Sequence, residues 1–302
     1  MQREIIIYGI LVLLILWIYI EQRLLMTTKY WVISDKLISA KKPIRMILLA
    51  DLHNRTFGMD NHRLIKRIDA LKPDFILAAG DIINKKAVSY PGNAYTLLDQ
   101  LSEKYKIFYA YGNHEQRMEL IGKASEAERT QEEEVRYHSW VEFKNRLQGK
   151  GIVFLDNDST VLDWKGDKLR ITGVSIGPEY FGFQTQKEMD PEYLTTLIGS
   201  SPKEAYQLLI AHNPVYFKDY AAWGADLILS GHLHGGMMRL PGVGGVLSPQ
   251  AKFFPKYDSG RHEYQKSQLI VSRGLGSHSI MPRIFNIPEL VCVELSRDNN
   301  SK

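Results

Sequence analysis

The sequence predicts an α/β fold, because short aliphatic runs alternate with longer amphipathic stretches over most of its 302 residues. Five of those runs stop at a histidine, aspartate or asparagine, usually beside a glycine. Open α/β sheets bind ligands beyond the carboxyl ends of their strands, so such residues belong in one crevice. The amino terminus adds a membrane element: Ile5 to Ile20 carries no charged side chain. A hydrophobic content of 44% supplies a sizeable core, and 38 basic against 34 acidic residues give no basis for broad nucleic-acid binding. Cys292 is the one cysteine, which excludes an internal disulfide framework, and its apolar neighbours predict a buried thiol.

In chain order, the sixteen residues from Ile5 to Ile20 come first. As a helix they span about 24 Å, short of the roughly 30 Å hydrocarbon core, so Leu24 to Met26 or local thinning must contribute. Tyr8, Trp17 and Tyr19 suit the interfaces. A cleaved signal peptide and a buried core helix are the alternatives. Glu21-Gln22-Arg23 follows the run and no small-x-small site does, which favours an anchor over residues 1–28. Arg3 precedes the span while Arg23, Lys29 and Lys36 follow it, a bias that places the remainder on the cytoplasmic side of the cell membrane.

Residues 29–43 read as a connector with a short strand at Tyr30 to Ser34. Strands are predicted at Ile44 to Ala50, Phe75 to Ala79, Ile107 to Tyr111, Ile152 to Leu155 and Leu169 to Val174. More follow at Ala205 to Ala211, Leu227 to Ser230, Leu269 to Ser272 and Leu290 to Leu295. Helices are predicted at Asn61 to Leu71, Ala94 to Tyr105, Ser125 to Gly149 and Pro214 to Trp223. The segment Asp163 to Lys168 reads as a hairpin turn, so the second half is more antiparallel than the first. The charged stretch Glu115 to Tyr137 is either a lid or, more simply, the solvated face of a helix. The globular part fills 44–296, and 297–302 is a polar, frayed tail.

The chemistry sits at the five strand ends: Asp51-Leu52-His53, Gly80-Asp81, Gly112-Asn113-His114-Glu115, Ala211-His212-Asn213 and Gly231-His232-Leu233-His234-Gly235. Five of the nine histidines lie there, too ordered a scatter for core or surface filler. Residues two apart in extended chain project to one side, which pairs Asp51 with His53 and His232 with His234. The glycines at 80, 112, 231 and 235 allow tight turns and close approach.

This ordered set resembles the signature of the calcineurin-like metallophosphoesterases, and the resemblance runs from about Ile44 to Leu295. It implies a four-layer αββα sandwich of two mixed sheets. It also implies two divalent ions, one held by Asp51, His53, Asp81 and His234 and the other by Asp81, Asn113, His212 and His232. Asp81 would bridge them, lowering their repulsion. Mixed imidazole, carboxylate and amide donors point to Mn²⁺ first, with Fe or Zn²⁺ fitting the same set. His114 would be the acid for the leaving oxygen, a role imidazole fills near neutral pH, or would orient a ligand instead. Glu115 reads as a supporting or helix-capping carboxylate.

An N-terminal membrane segment with Gly274-Leu275-Gly276 and the ending Arg283 to Leu290 resembles the single-span bacterial branch, some of whose relatives hydrolyse the pyrophosphate of UDP-diacylglucosamine. Soluble enzymes of that activity carry Arg where His114 stands, so the substrate does not transfer directly. The resemblance implies a phosphodiesterase or pyrophosphatase acting on a phosphorylated small molecule or lipid. A phosphomonoesterase, a nuclease and an inactive membrane scaffold are the rivals. Arg273, Arg283 and Lys252 read as surface charges that can also meet substrate anions. A metallo-β-lactamase type needs His-x-His-x-Asp-His, an amidohydrolase opens with His-x-His, and a P-loop needs Gly-Lys-Ser/Thr; none fits.

Overall fold

Side chains alternate across a strand with period two, so a strand apolar on both faces must be covered on both sides. A computed structural model describes residues 2–37, 42–84, 92–181, 187–236, 238–240, 242–248, 252–277 and 283–297. Its first half contains α1 (Gln2–Glu21), β1 (Met26–Ile33), β2 (Ile44–Leu49), α2 (His62–Leu71), β3 (Phe75–Ala79), α3 (Asn93–Ser102), β4 (Lys106–Ala110), α4 (Asn113–Lys123), α5 (Gln131–Gly149) and β5 (Val153–Leu155). The second half contains β6 (Asp158–Trp164), β7 (Asp167–Val174), α6 (Tyr193–Ile198), β8 (Tyr206–Ala211), α7 (Phe217–Trp223), β9 (Leu227–Ser230), β10 (Met238–Leu240), β11 (Gly244–Leu247), β12 (Gly260–Tyr264), β13 (Ser267–Val271) and β14 (Glu289–Ser296). One sheet has the order β1-β14-β2-β3-β4-β5, the other β12-β13-β9-β8-β7-β6, and β10 with β11 forms a separate hairpin.

The predicted αββα sandwich is present, and alternation within single strands shows why. Met46 and Leu48 of β2 join Leu208 and Ile210 of β8 in the core between the sheets. Ile47 and Leu49, pointing the other way, pack with Leu64, Leu97, Trp140 and Leu147 of the first helical layer. Leu209, Ile228 and Val271 pack likewise against Leu194, Phe217 and Tyr220 of the second. Cys292 is buried in the first of these outer cores, as its neighbours predict. At Lys165 and Gly166 the β6–β7 hairpin turns with positive φ at both residues, the primed geometry that matches strand twist.

Four expectations need correction. The strand expected at Tyr30 to Ser34 is the eight-residue β1, which pairs in parallel with β14 along its whole length. The strand lies in the connector as expected but is longer, and it starts at Met26, inside the segment assigned to the anchor. Lys29 interrupts its pattern, and only the free edge of β14 decides the matter. The membrane candidate α1 has 20 residues because Gln2 to Glu4 continue it. At about 30 Å it needs no help from Leu24 to Met26. The helix expected at Ser125 to Gly149 starts at Gln131, where Thr130 and Glu133 cap each other's backbone N–H groups at 3.0 and 3.2 Å. The preceding α4 was not predicted; it buries Met118 and Ile121, so Glu115 to Tyr137 spans two packed helices with solvated outer faces. The expected frayed tail, beyond Arg297, lies outside the described residues.

Candidate metal centre

Parallel β2, β3 and β4 end side by side, as do β8 and β9 of the facing sheet, so five strand ends meet across the sandwich. Leu49 leads to Asp51, Ala79 to Asp81, Ala110 to Asn113, Ala211 to His212, and Ser230 to His232 and His234. Asp51, His53, Asp81, His232 and His234 all have positive φ, between 50° and 73°. The two-apart pairs therefore converge through tight left-handed turns and not through extended-chain alternation. Asp and His tolerate that region better than most residues, yet each costs on the order of 1 kcal/mol, a cost found chiefly at functional sites. Gly80 is also left-handed, and a Cβ there would stand 2.2 Å from the Gly112 nitrogen. A Cβ on Gly231 would meet an Asp51 oxygen at 2.4 Å, so glycine permits the two sheets to touch at the site.

Six of the seven predicted donors, Asp51, His53, Asp81, His212, His232 and His234, come together. His53 Nε2 lies 3.2 Å from His234 Nε2, and His234 Nε2 lies 3.5 Å from Asp51 Oδ1. Asp81 Oδ2 lies 3.3 Å from His212 Nε2, 3.7 Å from His114 Nε2 and 4.0 Å from His53 Nε2. Three groups have all their donor atoms within 4.8 Å of one another: Asp51 with His53 and His234, Asp81 with His212 and His232, and His53 with Asp81 and His114. The first group is separate from the second, and the third sets Asp81 beside His53. Asn113 lies at the start of α4, and its Oδ1 is buried without a hydrogen-bond partner among the described residues. A buried acceptor without a donor suits a cation. His212 Nδ1 donates to the Ala79 carbonyl at 2.7 Å, which leaves Nε2 as the donor atom facing Asp81.

Electrostatics supports the same reading. Burial, reinforced by the charge of Asp81, pushes the Asp51 carboxyl up to about 7, with His212 opposing. Burial acts on Asp81 in the same direction, but His114, His212 and His53 outweigh it and hold this carboxyl well below its usual range. Burial would lower His212, yet Asp81 and Asp51 push it up to about 10. Two buried carboxylates thus draw a proton onto the His212 imidazole, a demand for positive charge that a cation meets instead.

Glu115, expected as a supporting or helix-capping carboxylate, is both: it accepts the N–H groups of Asp81, Ile82, Ile83 and Gly112 at 2.8 to 3.3 Å. It also accepts the Tyr109 hydroxyl at 2.7 Å, so one carboxylate fixes two ligand-bearing loops. Arg283 is not a surface charge: it is 2% exposed and donates to the carbonyls of Gly276, Arg273 and Gly274. Burial lowers its pKa to about 9. Asn286 donates to the His234 carbonyl at 2.6 Å. Arg273 pairs with Glu289 at 3.4 Å.

These residues define a class of protein, one with a buried cluster of metal-ligand side chains at the mouth of an αββα sandwich. The model of the calcineurin-like phosphoesterase family matches residues 44–236, and the chain belongs to that family. It is a metal-dependent phosphoester hydrolase. Its relatives include the metallophosphoesterase YkuE of Bacillus subtilis, 24% identical over 93% of this chain and 89% of that one. Phosphodiesterase YaeI of Escherichia coli is 26% identical, covering 84% of this chain and 82% of its own length. UDP-2,3-diacylglucosamine pyrophosphatase LpxG of Chlamydia muridarum is 24% identical, covering 83% and 82%.

Proposed function

We propose that this chain hydrolyses phosphodiesters or pyrophosphates of membrane-associated or nucleotide-linked molecules, using two divalent ions, Mn²⁺ first among them. The observation that carries it is the position of Asp81, one of whose oxygens lies within 4.0 Å of three imidazole nitrogens. Asp51, His53, Asp81 and His234 would hold one ion and Asp81, Asn113, His212 and His232 the other. When bound, the ions supply Lewis-acid charge for the phosphoryl oxygens and acidify water. The side chains then have separate tasks. His212 is held in one tautomer by Ala79, and Asp51 is fixed by the N–H of His232 at 3.0 Å. His114 lies on the first turn of α4, its own N–H donating to Asp81 at 2.9 Å, with its ring at the edge of the donor group. It gives a proton to the departing oxygen.

Two contacts support a substrate drawn from a membrane surface. Glu21 at the end of α1 accepts the Phe285 N–H at 2.8 Å, and Trp17 lies 6.3 Å from the Phe285 ring. Phe285 separates Ile284 from Asn286, whose amide holds His234, so the proposed span leaves the domain beside the metal centre. The names of LpxG and YaeI, a lipid pyrophosphatase and a phosphodiesterase, agree with that class. The basic residues after α1 favour the cytoplasmic face.

His114→Ala tests the chemistry. It should retain bound metal while slowing p-nitrophenyl esters by about tenfold and alkyl esters by about a thousandfold, since acid assistance matters most for poor leaving groups. Equal losses across leaving groups of different pKa would remove the acid role.

A further inference from the structure

We propose that the cavity beside the metal centre is a second anion subsite, in which Arg23, Arg55 and Arg63 hold a phosphate adjacent to the one hydrolysed. A diphosphate diester is then the substrate class of this site; the inference rests on the phosphoester reading above. The cavity has a volume of about 670 Å³, within the range of small-molecule sites. His53 forms part of its wall, so the cavity opens directly onto the donor cluster. The three arginines share that wall with Thr56 and Ser277, and no acidic residue lines it.

The arginines differ from others in this protein. Arg45, Arg129, Arg239 and Arg273 each pair with a carboxylate at 2.7 to 3.4 Å. None of the ion pairs among the described residues includes Arg23, Arg55 or Arg63, so among those residues the wall's three positive charges have no counter-charge. Like charges gathered beside a partly enclosed space repel, and an anion relieves that repulsion. The two nearest the membrane helix are also held in place. Arg55 donates to the Gln22 carbonyl and rests 5.3 Å from the Phe57 ring centroid. Arg23 donates to the Tyr19 carbonyl at 3.1 Å and lies 3.5 Å from the centroid of that ring. Planar guanidinium groups fixed in this way match the paired oxygens of a phosphate.

The charge balance of the reaction calls for such a site. A diphosphate diester carries one negative charge on each phosphorus. Water's oxygen bonds to the phosphorus at the metal centre, and the P–O bond to the bridging oxygen breaks. The bridging oxygen leaves with the electron pair on the second phosphate and takes a proton from His114. One proton of water restores His114, and the other, with the proton of the leaving phosphate, passes to solvent, so two phosphate monoesters result, each one charge more negative. The arginines lie where that additional charge collects. A simple phosphodiester has no second phosphate to place there.

The test uses the full-length, metal-loaded chain and its variants Arg55→Gln and Arg63→Gln, checked for unchanged melting and metal content. Arg63 is exposed, so its variant folds even if Arg55→Gln does not. Three substrates are compared: bis(p-nitrophenyl) phosphate with one charge, UDP-glucose in solution, and CDP-dioleoylglycerol in phosphatidylcholine vesicles. Each variant should raise KM for a diphosphate at least about tenfold more than KM for bis(p-nitrophenyl) phosphate, as loss of one charge-assisted contact predicts. The arm with the larger effect identifies the source, a soluble nucleotide or a lipid-linked diphosphate in a bilayer. KM ratios near one in both diphosphate arms would overturn the subsite while leaving the phosphodiesterase reading intact. A wild-type protein inactive on all three substrates would overturn that reading, and the subsite with it.

Discussion

Asp81→Ala is expected to lower metal-dependent hydrolysis of a phosphodiester by about a thousandfold or more, the loss associated with removing an essential member of a catalytic unit. Asp81 belongs to two of the donor groups, with His212 and His232 in one and with His53 and His114 in the other, so its carboxylate links them. Without it, two cations would face each other with no common anion, and at least one would leave. The same carboxylate accepts the His114 N–H at 2.9 Å, so Ala also loosens the start of α4. Asp81→Asn separates the effects, because the amide oxygen can keep that hydrogen bond while the charge is lost. Metal per chain, measured by mass spectrometry, should fall in both variants, and activity should fall with it. Undiminished activity in Asp81→Ala would remove the shared-ligand mechanism.

Glu115→Ala should destabilise the fold by about 3–5 kcal/mol, the range for breaking a buried charged network. The side chain is fully buried, and its removal strands four backbone N–H donors on the loops that carry Asp81 and Asn113. The Tyr109 hydroxyl is left as a further unpaired donor, because burial, the largest cause of its raised pKa, persists without Glu115. Glu115→Gln offers an NH₂ group to a site built of donors, so it should recover only part of the loss. Denaturant unfolding measures the effect, and metal affinity should weaken in parallel as both loops relax. A change below about 1 kcal/mol would mean that water satisfies these N–H groups instead.

The five strand ends are legible in the sequence because strand and ligand are adjacent there: an aliphatic run followed at once by Asp, Asn or His is a local pattern. The same adjacency makes the sandwich legible, since strands covered on both faces show as unbroken apolar runs. What carries the ligands into place is less legible. Alternation predicts that Asp51 and His53 share a side, and they do meet, but through positive φ at both residues. No pattern of residue types encodes that turn. Glu115 looks like one carboxylate among many in an acidic stretch, and only folding brings four N–H groups to it. Arg283 reads as a surface charge because nothing local announces the three carbonyls that surround it. Strand β1 is obscure for a related reason: its partner β14 lies more than 250 residues away, with Met26 opposite Glu289.

The most direct measurement is anomalous diffraction from crystals grown with Mn²⁺. It should show two peaks about 3.5–4 Å apart, with Asp81 between them, Asp51, His53 and His234 around one, and Asn113, His212 and His232 around the other. A cluster without ions, or with a single ion that Asp81 does not touch, would contradict the two-cation centre.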